Sequence, residues 1–103
     1  MRFLLKVTIP VEKGNAGMKD GSLPKTIKSI LADQNPEAAY FVEEGGTRTG
    51  IIVINIQDPS QIPSVAEPWF LAFNASVEFH PAMIPEDLEK AGPDIVQAVQ
   101  KYG

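Results

Sequence analysis

Residues 74 to 83 read Asn-Ala-Ser-Val-Glu-Phe-His-Pro-Ala-Met and hold the only histidine of the chain. Ser76, Glu78 and His80 alternate with Val77 and Phe79, so on an extended segment the three polar side chains share one face. An imidazole ordinarily titrates near about pH 6.5, and a carboxylate on the same face can orient it; His80 with Glu78 is therefore a candidate general acid/base pair. No serine or cysteine nucleophile motif accompanies them, so a triad is not indicated. The competing reading is that His80, followed by Pro81, ends a strand at its rim and bonds a backbone carbonyl. One histidine and one neighbouring glutamate are too few ligands for a metal ion, and no metal site is expected.

Four further residues could hold a ligand. Trp69 and Phe70 follow Pro68 and could floor an aromatic pocket, or fill a gap in the core where the proline bends its helix. Arg48 could clamp a carboxylate with two parallel N–H groups; otherwise it is an exposed charge near a hairpin, pairing weakly with Glu43 or Glu44. Tyr40 could donate a phenolic proton, although an edge-strand tyrosine packed in a core is commoner. Gly14-Asn15-Ala16-Gly17 lacks the lysine and the strand-turn-helix setting of a phosphate loop. No motif for a cofactor is present, and none is expected.

Composition narrows the function classes. The chain has 103 residues, 44% hydrophobic and 21% charged, enough for a single domain spanning residues 1–103 but not for two cores. Nine Lys and Arg against thirteen Asp and Glu give a formal net charge of −4. The basic residues are scattered, which argues against nucleic acid as a partner. The absence of cysteine removes disulfides, thiolate zinc sites and a cysteine nucleophile. The start, Met-Arg-Phe-Leu-Leu-Lys-Val-Thr-Ile-Pro, is too often interrupted for a signal-peptide core, and no segment approaches the roughly 20 apolar residues that span a bilayer. The expectation is a soluble, cytoplasmic protein without membrane contact. The Asn74-Ala75-Ser76 sequon carries little weight in that setting.

The elements that must position these residues follow from periodicity. Phe3, Leu5, Val7 and Ile9 alternate with Arg2, Lys6 and Thr8, as in a strand ended by Pro10. Leu23, Ile27, Ile30 and Leu31 form a helical stripe, with Pro24 in the first turn and Asn35-Pro36 as the stop; Asn15 to Asp20 reads as an extra turn before it. Residues 37–44 and 47–57 are two strands joined at Gly45-Gly46, whose glycines suit a tight hairpin. Asp58-Pro59-Ser60 predicts an N-cap with proline at the first helical position, and Ile62, Val65, Ala66 and Trp69 continue that helix to a kink at Pro68. Residues 74–83 form the last strand. Pro85-Glu86-Asp87 starts a C-terminal helix, divided at Gly92-Pro93.

The order β-α-β-β-α-β with a helical tail predicts a ferredoxin-like α+β sandwich: an antiparallel sheet of strand order 4-1-3-2 with both main helices on one face. Parity then sends Lys6, Ser76, Glu78 and His80 to the opposite face, where Lys6 could meet Glu78 across the ladder of neighbouring strands. Gly50-Ile51-Ile52-Val53-Ile54-Asn55-Ile56 is apolar on both sides, so the second face needs a cover too. A second subunit, giving a homodimer through the sheet faces, is the preferred cover; the C-terminal helix folded underneath is the other.

Arg48-Thr49-Gly50, Ile62-Pro63, Glu67-Pro68-Trp69-Phe70 and the run from Phe79-His80-Pro81 through Pro85-Glu86-Asp87-Leu88 carry a resemblance over nearly the whole length. The chain resembles the dimeric α+β barrel superfamily, and more narrowly a family of uncharacterised small bacterial proteins within it. The resemblance implies two ferredoxin-like subunits packed sheet against sheet into an α/β barrel. It also implies a site in the cleft between sheet and helices or inside the barrel. Members include cofactor-independent or heme-dependent monooxygenases, lactone isomerases, decarboxylases, and dehalogenating or stress-responsive proteins, so the resemblance suggests where a site lies and not which reaction it runs. Three functions fit. The first is a small-molecule-binding domain with Lys6, Tyr40, Arg48, Trp69, Phe70 and Ser76 as lining. The second is a cofactor-independent oxygenase, isomerase or decarboxylase using His80 and Glu78, and the third is a purely structural dimerisation module.

Overall fold

The computed structural model describes residues 1–103. The chain is α+β and runs β1 (Arg2–Thr8), α1 (Val11–Asp20), α2 (Ser22–Gln34), β2 (Ala38–Glu44), β3 (Thr47–Asn55), α3 (Gln61–Phe73), β4 (Ser76–Pro81), α4 (Pro85–Lys90) and α5 (Gly92–Tyr102). The strands lie in the order β2-β3-β1-β4, which from the other edge reads β4-β1-β3-β2, and every pairing is antiparallel. Alternation fixes the faces. Leu5, Val7 and Ile9 of the β1 segment and Ile52, Ile54 and Ile56 of the β3 segment are buried against Leu23 and Ile30 of α2 and Val65, Trp69 and Phe73 of α3. The opposite face carries Leu4, Lys6, Ile51 and Val53 and has no helix over it.

Local stop signals explain most of the boundaries. Gly45 and Gly46, at φ 60° and 80°, make the two-residue turn whose twist matches a hairpin. The amide of Gly46 also donates to the Glu43 carboxylate at 2.8 Å. Asn35 and Asn74 close α2 and α3 in the left-handed conformation, their amides bonded to the carbonyls of Leu31 and Phe70. Asn tolerates that conformation because its short amide bonds locally. The last strand therefore starts at Ser76 and not at residue 74: Asn74 belongs to the end of α3.

Two other expectations change, and one alternative drops out. Asp58 does not cap α3. Its carboxylate accepts from the amide and hydroxyl of Ser60 at 2.9 and 2.7 Å, forming a turn, and the helix begins at Gln61. Residues 11–20 form a full helix and not one extra turn. Its glycines face inward: a Cβ on Gly17 would sit 2.9 Å from the Leu23 Cβ, and one on Gly14 2.7 Å from an Arg48 nitrogen. They are the surface by which α1 approaches α2 and β3. The C-terminal segment does not fold beneath the sheet. The radius of gyration is 17.2 Å, against about 13 Å for a compact chain of this length, and the long axis is 59 Å. Beyond the root at Ala82–Asp87, α4 runs directly into α5 at Ala91, and the two touch only across that junction. They project as an arm along which Leu88, Ile95, Val99 and Tyr102 form one exposed stripe at spacings of seven, four and three.

Candidate functional site

The polar row forms as parity requires. Lys6 is opposite Glu78 and Leu4 opposite His80 across β1 and β4. The Lys6 ammonium lies 4.0 Å from one Glu78 oxygen, and His80 Nε2 lies 3.8 Å from the other. Lys6 also bonds Glu44, and that hydrogen bond holds the ammonium above its usual lysine value, with the nearby charges of Glu44 and Glu78 assisting. Glu78 and His80 are exposed, and neither they nor Ser76 line any of the main cavities of the chain. Geometrically, the row is a ladder of charges along an open sheet.

The aromatic pair separates. Trp69 is fully buried and packs on Phe73 with ring centroids 6.0 Å apart. Phe70 is turned outward and partly exposed, because successive helical residues diverge by about 100°. The two share no pocket, and the Trp69 indole nitrogen is buried without a hydrogen-bond partner. Tyr40 stands 64% exposed on the open face of edge strand β2. It is neither packed in the core nor set in a cavity.

Arg48 is the one sequence candidate that lines a main cavity. Its parity with Gly50, Ile52 and Ile54 places it on the helix side of β3, opposite Glu43 of β2. It forms no ion pair with Glu43 or Glu44; its Nη1 donates to the Asn15 side chain at 3.0 Å. The groove beside it measures about 340 Å³ and has Ile9, Met18, Leu23, Ile27 and Phe41 among its walls. Arg48 and Glu43 are its only charged lining residues. Met18, Leu23, Ile27 and Phe41 were not singled out from the sequence as lining. Phe41 was nevertheless legible there: once the turn is set at residues 45 and 46, Arg48 pairs with Glu43 and Phe41 with Gly50, so Phe41 and Arg48 share a face.

Two larger clefts offer less. One of about 550 Å³ lies at the root of the arm, where Arg2 and Glu37 satisfy each other at 2.9 Å. One of about 410 Å³ between α2 and α3 holds Gln34, whose amide donates to the Val65 carbonyl. No three His, Cys, Asp or Glu side chains converge as metal ligands, and no helix is long and apolar enough to cross a membrane. The chain matches no protein-family model and no curated protein.

Proposed function

We propose that this chain is a small-molecule-binding domain that works as a homodimer of the dimeric α+β barrel type. The observation that carries the binding half is the groove beside the sheet, whose volume of about 340 Å³ falls within the size range of small-ligand sites and whose walls are mainly apolar with few charged groups. An enzymatic role through His80 and Glu78 has weaker support, since both lie on an open face outside any main cavity. The charge ladder Glu44–Lys6–Glu78 suits a register device between packed faces better than a reaction centre.

The dimer half is supported by two uncovered apolar surfaces, with a second copy of this chain as the occupant. A stable interface takes roughly 800 Å² from each partner, of which about 450 Å² is apolar. Full burial of an aliphatic side chain removes roughly 60–120 Å². The arm residues Leu88, Ile95, Val96, Val99 and Tyr102 are between half and four-fifths exposed, so one arm offers on the order of 350 Å² of apolar area on that scale. Leu4, Tyr40, Val42, Ile51 and Val53 on the sheet add on the order of 250 Å² by the same reckoning. Neither surface reaches the requirement alone, and together they exceed it. Equilibrium sedimentation of the full chain from 1 to 100 micromolar is the test. A dimer is expected throughout, and a folded monomer at the upper concentration contradicts the proposal.

A further inference from the structure

We infer that the groove between α2 and the β2–β3 hairpin takes an amphipathic monocarboxylate, its apolar body against Leu23, Ile27 and Phe41 and its carboxylate on Arg48. The inference rests on the small-molecule-binding reading above and names the ligand class.

The first observation is charge. The ion pairs of the chain are Arg2–Glu37, Lys6–Glu44 and Lys6–Glu78, and Arg48 belongs to none of them. A guanidinium presents five N–H donors, and the one side-chain bond Arg48 makes is through Nη1 to Asn15. Glu43, its neighbour across the hairpin, is turned to the Gly46 amide. The fork is therefore held at one end, with donors left for an anion at the rim of an apolar slot. Bidentate capture of a carboxylate is what this group does best.

The second observation is that the chain makes room for the guanidinium. Gly14, buried in α1, lies where a Cβ would come within 2.7 Å of Nη1 and 3.3 Å of Cδ of Arg48. The Arg48 side chain thus lies close against α1 at Gly14, and a side chain at that position would push it from its present place. Asn15, the next residue of the same helix, supplies the acceptor that fixes it.

Charge and size then select the ligand. One cation with Glu43 close by can offset a single negative charge, and leaves the second charge of a dianion such as a phosphate monoester uncompensated beside a carboxylate. A volume of about 340 Å³ corresponds to roughly eleven water-sized groups, at about 30 Å³ each. That fits an eight-carbon chain or a phenyl ring carrying a short acid.

The test is calorimetric titration of the full chain with octanoate, 1-octanol and octylamine, with amide and methyl NMR shifts to locate the site. Octanoate is expected to bind at least tenfold tighter than 1-octanol and octylamine, shifting signals of Ile27 and Phe41. Arg48→Met keeps the apolar stem and should bring octanoate down to the level of 1-octanol, with 1-octanol itself changed less than threefold. Equal binding of octanoate and 1-octanol by the wild-type chain overturns the inference, as do shifts centred elsewhere, unchanged octanoate affinity in Arg48→Met, or no octanoate binding at millimolar concentration. The wild-type comparison stands even if the variant fails to fold. If octanoate fails while another small molecule co-purifies in the groove, the ligand class is wrong and the binding function survives. If no small molecule binds the groove, both fall.

Discussion

The double substitution Ile95→Ser with Val99→Ser tests the projecting arm. The two side chains are 52% and 63% exposed in the single chain, so that fraction of their apolar surface is available to a partner. Complete burial of such a side chain contributes about 1.5–3 kcal/mol. Scaled by exposure, the pair supplies about 1.7–3.4 kcal/mol per arm, and a symmetric dimer uses both arms, giving about 3–7 kcal/mol. The dimer dissociation constant should therefore rise on the order of a hundredfold or more, since each 1.4 kcal/mol is about tenfold. The body of the domain should be unaffected, because α5 makes no substantial contact with the sheet or with α1–α3. Sedimentation or fluorescence-detected dissociation across nanomolar to micromolar concentrations reads the first effect, and amide NMR spectra of β1, β3 and α2 read the second. A dissociation constant within threefold of wild type would refute the reasoning and leave the stripe a solvated helix face.

Other substitutions probe the remaining elements. Gly17→Ala puts a Cβ 2.9 Å from that of Leu23; overpacking of about 1–3 kcal/mol against a helix-propensity gain of about 1 kcal/mol predicts net destabilisation of about 1 kcal/mol, read by urea unfolding. Trp69→Ala, at a fully buried position, should cost about 3–5 kcal/mol by the same assay. His80→Ala should leave octanoate affinity within threefold, since His80 does not line the groove; a large loss in titration calorimetry would move the site to the sheet face. The Ser60 hydrogen bonds hold the Asp58 carboxyl below its usual value. That contribution to stability is present above the unfolded aspartate pKa of about 3.9 and fades as pH falls through the lower folded value. Asp58→Ala should thus destabilise at pH 7, with the gap from wild type narrowing steadily below about pH 4.

The sheet was largely legible in the sequence because its determinants are local. Alternation along residues 2–9 fixed which side chains meet the helices, Gly45-Gly46 fixed the hairpin register, and the adjacency of the first and last strands with their parity put Lys6 and Glu78 on one face, where they could meet. Boundaries failed where one residue had two local uses. Asn74 continues an alternating polar row, yet its left-handed backbone ends α3 instead, and Asp58 serves a turn with Ser60 where a helix cap was expected. The inward packing of Gly14 and Gly17 was not legible because a sequence does not display what packs against a missing side chain. The groove was hidden for a related reason. Its walls come from the Ile9 region, α1, α2 and the hairpin, so the convergence of Met18, Leu23 and Phe41 on Arg48 is a tertiary fact, visible beforehand only as the shared face of Phe41 and Arg48. The arm was legible as helix but not as projecting, because an amphipathic stripe shows that a partner surface exists without showing whether it belongs to the same chain.

Native mass spectrometry of the gently purified full chain tests the central claim most directly, because one spectrum reports subunit number and retained ligand together. The claim predicts a dimer carrying a reproducible small-molecule adduct that added octanoate displaces. A bare monomer, with no adduct before or after octanoate, would contradict it.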